Sequence, residues 1–178
     1  MSQYQFRLCT PDDAAAVQNF LWSLKDDLFF TERETVEEIT QTLFQEGGIL
    51  VGTQYDEMVA LLGYVYGNPA KDYQNKDVGF LYVVGLAESV RRTRIMLEGL
   101  HFVVRTFLAR GTKTFRFHAL ETDKNINRMY SLLARPIGKE RNRRGYPCNL
   151  YEATIEELAV ALSRMNQDTQ AQIGSAPS

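Results

Sequence analysis

The stretch that decides the fold is VGFLYVVGL at residues 78–86, followed by AESVRRTRIMLEGLHFVVRTFLAR at residues 87–110. The first part is apolar almost throughout, which is typical of a strand that is covered on both faces. Residues 88–110 carry apolar side chains at helical spacing, and Gly111 predicts the end of that helix. Together they predict a buried central strand that leads directly into a long helix beginning at residues 88–91.

Before this stretch, the sequence predicts a strand at residues 4–9 and an amphipathic helix after Thr10-Pro11. A second amphipathic helix is predicted at residues 34–46, followed by strands at residues 49–55 and 58–66. Asp56-Glu57 predicts a tight turn between the last two of these strands, so that they form a hairpin. The polar residues 70–76 predict a loop.

After the stretch, the sequence predicts a strand at residues 114–120 and a short helix at residues 123–133. A last strand is predicted at residues 148–153 and a last helix from Thr154 to about Met165. Thr154 and Glu157 have the spacing of a capping box. Residues 167–178, QDTQAQIGSAPS, are polar and small and predict a disordered tail. The order predicts an α/β domain at residues 1–166, with a mixed, mostly antiparallel central sheet and helices on both faces.

Composition excludes several classes of protein. The chain has 178 residues, a length that suits one domain, and its net charge of −2 argues against a protein that mainly holds nucleic acid. Cys9 and Cys148 lack metal-ligand spacing. Neither a leader sequence nor a long apolar run is evident, so we expect a cytoplasmic protein without a membrane partner.

Three motifs and the element order resemble the GNAT family of acyl-CoA-dependent N-acetyltransferases. RLCTPDDAAAVQNFL at residues 7–21 is similar to the family's opening strand and helix. RRTRIM at residues 91–96 takes the place of the pyrophosphate loop R/Q-x-x-G-x-G/A, and NINRMYSLLARPIG at residues 125–138 is similar to N…LYEKLGF. The resemblance spans roughly residues 5–153. It implies a GNAT-like fold, acetyl-CoA as acetyl donor without a metal, and an amine-bearing small molecule or protein as acceptor, and it leaves a homodimer open.

The pyrophosphate loop of this sequence departs from the family pattern. A helix N-terminus binds phosphate oxygens through unpaired N–H groups, and glycine lets the backbone approach them closely. Here Arg94 and Met96 take the two glycine places. The resemblance implies the following cofactor-binding residues: Val83, Val84, Arg91, Arg92, Thr93, Arg94, Ile95, Met96, Asn125 and Asn127.

Two functions follow from this departure. The arginines could bind phosphates through charge-assisted hydrogen bonds, which keeps the chain an acetyltransferase. Alternatively, Arg94 and Met96 could fill the groove, and the chain would then be a degenerate GNAT-fold binding or assembly protein that does not use acetyl-CoA. The arginines could also be a solvated helix face. Asn125 and Asn127 could equally be helix-capping residues.

Two residues are candidates for catalysis, the first of them through the resemblance. Tyr130 lies four residues before Ala134, as the family's tyrosine precedes its glycine, and would give a proton to the departing thiolate. Glu121, after the strand at residues 114–120, is the candidate base. Their alternatives are a core aromatic and a solvated strand end. His118 is a weaker candidate base, because a histidine within an alternating strand is more often structural.

Residues 135–144, RPIGKERNRR, form the strongest charge feature. They could hold an acidic substrate, the 3′-phosphate of adenosine or RNA, or they could form a solvated hairpin. Tyr146 is the one aromatic residue nearby, so the stacking partners of single-strand binders are lacking and a nucleic-acid partner is disfavoured.

Overall fold

The computed structural model describes residues 3–174, and of residues 168–174 it describes the backbone. Residues 3–174 contain seven strands: β1 Gln5–Leu8, β2 Gly47–Gln54, β3 Glu57–Asn68, β4 Gln74–Leu86, β5 Thr114–Leu120, β6 Arg135–Arg141 and β7 Pro147–Thr154. They form one sheet in the order β1-β2-β3-β4-β5-β7-β6. Neighbours pair antiparallel except β4 and β5, which are parallel. The predicted mixed, mostly antiparallel sheet is confirmed.

The helices cover both faces of the sheet, as predicted. They are α1 Ala14–Ser23, α2 Lys25–Leu28, α3 Arg33–Glu46, α4 Ile95–Arg110, α5 Lys124–Leu133 and α6 Ile155–Gly174. On one face α1 and α3 pack against Ile49 and Val51 of β2. On the other face α4, α5 and α6 pack against Leu50 of β2 and Leu62 of β3. The two faces separate because successive side chains of a strand point in opposite directions.

The hairpin between β2 and β3 has its turn at Tyr55-Asp56. Both residues have positive φ, 51° and 64°, and Gln54 pairs with Glu57 across the turn. This is the backbone of a type I′ turn, whose twist matches the flanking strands. The turn predicted at Asp56-Glu57 was wrong by one residue, because Asp56 takes the second turn position and not the first.

Two strand predictions were also incomplete. β4 begins at Gln74, where it pairs with Asn68, so part of the loop predicted at residues 70–76 is strand. β6 was not predicted, because Pro136 and Gly138 are poor strand formers. Its position explains how they are tolerated: β6 lies at the edge of the sheet, and its register against β7 shifts between Pro136 and Gly138.

Helix α4 begins at Ile95, so the start predicted at residues 88–91 was wrong. Glu88–Val90 forms one 3-10 turn, and Arg92 has a left-handed φ of 66°. A non-glycine residue in that region interrupts a right-handed helix. Residues 91–94 therefore form a loop that leads from the central strand to the N-terminus of α4.

Helix α6 is longer than predicted. It begins with the predicted capping box, in which Glu157 N–H donates to Thr154 Oγ1 and Thr154 N–H donates to Glu157 Oε2, both at 3.1 Å. It runs to Gly174 and so enters the segment at residues 167–178 for which a disordered tail was predicted. Glutamine and alanine in this stretch are good helix formers, and Gly174 is its first glycine. Residues 175–178 lie outside the described residues.

None of the helices in the described part of the chain has the length and apolar character needed to cross a membrane.

Candidate active site

The central parallel strands β4 and β5 separate at one end. They pair from Val78 and Thr114 as far as Leu81 and Phe117, and within residues 3–174 no further pairs follow. At the same point the register of β3 against β4 shifts, which leaves Tyr82 as an extra residue on β4. A bulge of this kind bends the strand and re-aims its side chains. The end of β4 therefore turns away from β5 and opens a cleft.

A pocket of about 690 Å³ lies at this cleft, on the face of the sheet covered by α3. Its walls come from five parts of the chain: Pro69 and Ala70 after β3, residues 82–84 of β4, His118 and Leu120 of β5, residues 27–30 with α3, and residues 141–146 at the end of β6 and in the turn before β7. The volume is that of a small-molecule site.

The mouth of the pocket is narrowed by contacts between residues 27–30 and the β6–β7 hairpin. The rings of Phe29 and Tyr146 lie 5.8 Å apart. The Arg144 guanidinium donates to Leu28 O at 2.5 Å and lies 5.2 Å from the ring of Phe30. Two segments more than a hundred residues apart in sequence thus partly cover the opening of the pocket.

His118 on the pocket wall is placed to accept a proton. Its Nε2 lies 2.5 Å from Glu140 Oε1, and its ring is 4.7 Å from the ring of Phe80. Burial lowers the pKa of His118 below its ordinary value of 6.5, and this outweighs the opposing effect of Glu140. The ring is therefore neutral near pH 7. Because a carboxylate only accepts hydrogen bonds, Nε2 carries the proton and Nδ1 keeps a lone pair.

The alternating pattern of β5 favours His118 over Glu121 as the residue that faces the pocket. Burial alternates along β5, with Phe115, Phe117 and Ala119 buried in the core against α4 and α5. The remaining positions, His118 among them, lie on the pocket face. Glu121 follows the strand, where its Oε1 lies 3.0 Å from Lys139 Nζ. It is not among the pocket-lining residues.

Tyr130 of α5 is buried on the opposite face of the sheet. Its ring lies 4.5 Å from that of Phe117 and 5.8 Å from that of Tyr151. Burial raises the pKa of Tyr130 well above its ordinary value of 10. Its phenol therefore stays protonated and can give a proton but cannot serve as a base near neutral pH.

The loop at residues 91–94 leads into the N-terminus of α4. Thr93 Oγ1 accepts from Ile95 N–H at 3.3 Å and donates to Val90 O at 2.6 Å. Arg91 is paired with Asp27 at 2.6 Å and also donates to Leu86 O, while Arg92 is exposed. Met96 is buried in the core cluster on the α4 face. Its side chain therefore packs beneath the helix.

Arg94 contacts α6. Its guanidinium donates to Asn166 Oδ1, and Asn166 Nδ2 lies 2.7 Å from His101 Nε2. Arg94 Nε is buried and, among the described residues, has no hydrogen-bond partner. A charged donor left without an acceptor is costly, and the protein encloses this nitrogen in the conformation described.

The two candidate asparagines of α5 differ. The Asn127 amide donates to Leu120 O at 2.8 Å and accepts from Asn149 and from the Tyr151 hydroxyl, each at 2.8 Å. It thus joins β5, α5 and β7. Asn125 is exposed. The helix cap is Asp123, which accepts from Ile126 N–H at 3.0 Å.

The two cysteines are uncharged near neutral pH. Burial raises the pKa of Cys9 to about 11 and raises that of Cys148, which lines the pocket, so both remain thiols at neutral pH. In the described part of the chain, no group of three His, Cys, Asp or Glu side chains is arranged to hold a metal ion.

No family model and no curated protein matches this sequence. Solved structures match its fold. A protein from Desulfovibrio desulfuricans that is assigned to the GNAT family of acetyltransferases is 18% identical, with a TM-score of 0.67 over 85% of this chain and 99% of the other. The ribosomal-protein-S18-alanine N-acetyltransferase of Escherichia coli is 13% identical, with a TM-score of 0.64 over 85% and 94%. A ribosomal L7/L12 alpha-N-protein acetyltransferase in complex with coenzyme A is 15% identical, with a TM-score of 0.66 over 88% and 97%. The chain therefore has the GNAT fold.

Proposed function

Because the chain has the GNAT fold, we propose that it is an N-acetyltransferase that moves an acetyl group from acetyl-CoA to an amine. One observation carries this proposal: the pocket opens where β4 and β5 separate, and a neutral histidine lies on its wall. A pocket at that point can bring an amine to a thioester held in the cleft, and the histidine can remove the proton that blocks attack.

Acetyl-CoA would supply the thioester, and the residues around the cleft fit it. Val83 and Val84 lie on the part of β4 that diverges from β5, so their backbone is available to an extended ligand. The first N–H groups of α4 would face the pyrophosphate, with Arg92 and Arg94 adding charge. Burial of Met96 in the core supports this fit, since its side chain need not fill the groove.

We assign the base to His118 in place of Glu121, whose carboxylate is held by Lys139. His118 Nδ1 takes a proton from the bound ammonium group. Glu140 holds the Nε2 proton and stabilises the resulting imidazolium charge. The freed amine then bonds to the acetyl carbon as the carbon–sulfur bond breaks. Tyr130, from the face of the sheet opposite the pocket, is proposed to give its proton to the departing thiolate, because its phenol stays protonated. The second proton that the nitrogen loses as the amide forms then restores the phenol.

The experiment that tests the proposal is calorimetric titration of the purified protein with acetyl-CoA and with CoA. We expect both to bind, with acetyl-CoA in the range of about 1 μM to 1 mM that is usual for enzyme substrates. Absence of binding at millimolar ligand would contradict the proposal and favour the degenerate GNAT-fold protein that does not use acetyl-CoA.

Replacing Arg94 by glutamine is expected to weaken acetyl-CoA binding by about 10- to 100-fold, the value of a charge-assisted hydrogen bond to phosphate. The matched control is Arg105→Gln, which removes the same charge from an exposed position of helix α4 and should leave the dissociation constant unchanged. Equal effects of the two variants would show that Arg94 acts only through the general field of the protein.

Replacing Tyr130 by phenylalanine is expected to lower turnover by about 10²-fold or more with little change in acetyl-CoA affinity, because the hydroxyl acts only as charge develops on sulfur. Steady-state kinetics combined with calorimetry separate the two quantities. Unfolding of the variant should be followed alongside, because the ring packs against Phe117. Unchanged turnover would remove Tyr130 from the mechanism and leave it a core aromatic.

A further inference from the structure

We infer that the acceptor is a small amine that also carries a carboxylate, and that the β6–β7 hairpin selects it. This rests on the proposed function and concerns the same pocket. The hairpin places three arginines on the pocket lining: Arg141, Arg143 and Arg144. A pocket with this charge favours an anionic group on the molecule that delivers the amine.

The three guanidinium groups have neutral partners. Arg141 donates to Gly145 O at 2.6 Å, and Arg144 donates to Leu28 O. Arg143 donates to the Tyr73 hydroxyl at 2.8 Å and lies 3.5 Å from that of Tyr82. Among the side chains of residues 3–167, which the structure describes, no Asp or Glu forms an ion pair with any of the three. Their positive charges are therefore not compensated within the site.

The acidic residues at the pocket do not cancel these charges. Asp27 lines the pocket but is paired with Arg91 at 2.6 Å, and Glu140 is committed to His118. Glu38 of α3 is the lining carboxylate that makes no ion pair among the described residues. Glu38 lies on a different element from the arginines. A zwitterion could therefore place its carboxylate at the hairpin and its ammonium on the α3 side of the pocket, in the space that His118 also lines.

The mouth of the pocket favours a small molecule over a protein chain. The Phe29–Tyr146 ring contact and the hydrogen bond from Arg144 to Leu28 O join the two sides of the opening. A polypeptide substrate needs an open groove for the residues that follow its amino terminus, whereas a cavity of about 690 Å³ can enclose an amino acid. Arginine's planar fork also matches a carboxylate in a bidentate arrangement.

The test is calorimetric titration of the protein with N-acetylated amino acids, which are products of the proposed reaction, so their binding can be measured without acetyl-CoA. The probes are the N-acetyl derivatives of phenylalanine, methionine, glutamate and lysine, each as the free acid and as the α-carboxamide. We expect at least one acid to bind about 10- to 100-fold more tightly than its amide, as a charge-assisted bidentate contact implies. The inference is overturned if the amides bind as well as the acids, or if none of the acids binds at millimolar concentration.

Three variants test whether the hairpin causes the preference for the free acid over the amide. Arg143→Gln should abolish the preference for the acid, and Arg141→Gln should reduce it, while Arg135→Gln, at the far end of the same basic run, should retain it. Melting temperatures confirm that each variant folds, and all three positions are exposed. A preference that survives in both pocket variants overturns the role of the hairpin.

The outcomes separate this inference from the proposed function. If the acids bind but acetyl-CoA does not, the acetyltransferase proposal fails and the carboxylate site stands. If acetyl-CoA binds and is used equally with phenylalaninamide and phenylalanine, the acetyltransferase stands and the carboxylate site fails. Faster transfer to an amidated peptide than to any of the free amino acids also overturns the inference.

Discussion

Replacing His118 by glutamine is expected to lower the turnover number of acetyl transfer by about 10²- to 10⁴-fold, the usual contribution of a positioned base. Glutamine keeps a hydrogen-bonding group near Glu140 but cannot take a proton at neutral pH. Because the base acts on the amine, acetyl-CoA affinity should change by less than about threefold. Stopped assays of the acetylated product and calorimetry measure the two quantities.

Two comparisons make the His118 prediction specific. Glu121→Gln should leave turnover nearly unchanged. If turnover instead falls strongly in Glu121→Gln and is unchanged in His118→Gln, Glu121 and not His118 is the base. The pH profile gives the second comparison. Because burial lowers the pKa of His118, its active neutral form persists below pH 6.5, and kcat/KM should fall only as pH drops through that lowered pKa. This acid limb should be absent from the residual activity of His118→Gln.

Replacing Phe107 by alanine is expected to lower the free energy of unfolding by about 3–5 kcal/mol, the range for truncating a buried phenylalanine. Phe107 is fully buried between α4 and the sheet. Its ring lies 5.2 Å from that of Tyr64, 5.4 Å from that of Tyr66 and 5.0 Å from that of Phe115. Truncation leaves a cavity in the middle of this aromatic cluster, which rigid strands on the far side cannot fill.

The next residue supplies the control for Phe107. Leu108 lies on the same helix but is 47% exposed, so Leu108→Ala should change the free energy of unfolding by no more than about 1 kcal/mol. Chemical denaturation measures both values, and in a chain of this size the Phe107 variant should melt about 6–20 °C lower. Similar losses in the two variants would contradict the packing described for α4.

Much of the fold could be predicted from the periodicity of apolar residues. The run at residues 78–86 and the alternation at residues 114–120 identify the two central strands, because burial on two faces and on one face produces different patterns. The start of α4 could not be predicted in the same way. Residues 88–94 have acceptable helical composition, and the composition does not reveal the extended backbone of Arg91 or the left-handed backbone of Arg92, which interrupt the helix.

The candidate site was less predictable than the fold. The cleft depends on a bulge at Tyr82, which apolar composition does not reveal. The pocket joins Asp27 and Phe29 to Arg143 and Tyr146, and their proximity is a property of the chain's path and not of any local motif. The alternating pattern of β5 could have identified His118 as a residue that faces the pocket. Its partner Glu140 lies on β6, the strand that was not predicted.

The sheet order also fixes when during synthesis this site can be completed. β7 lies between β5 and β6, and within residues 3–174 β6 pairs with β7 alone. Translation proceeds from the amino terminus, so β6 leaves the ribosome before the strand that holds it in the sheet. Glu140 can reach His118, and the hairpin arginines can reach the pocket mouth, only after β7 is in place. A nascent chain that stops before residue 147 therefore has β1 to β5 and α4, but it lacks the strand that brings Glu140 to His118 and the hairpin arginines to the pocket.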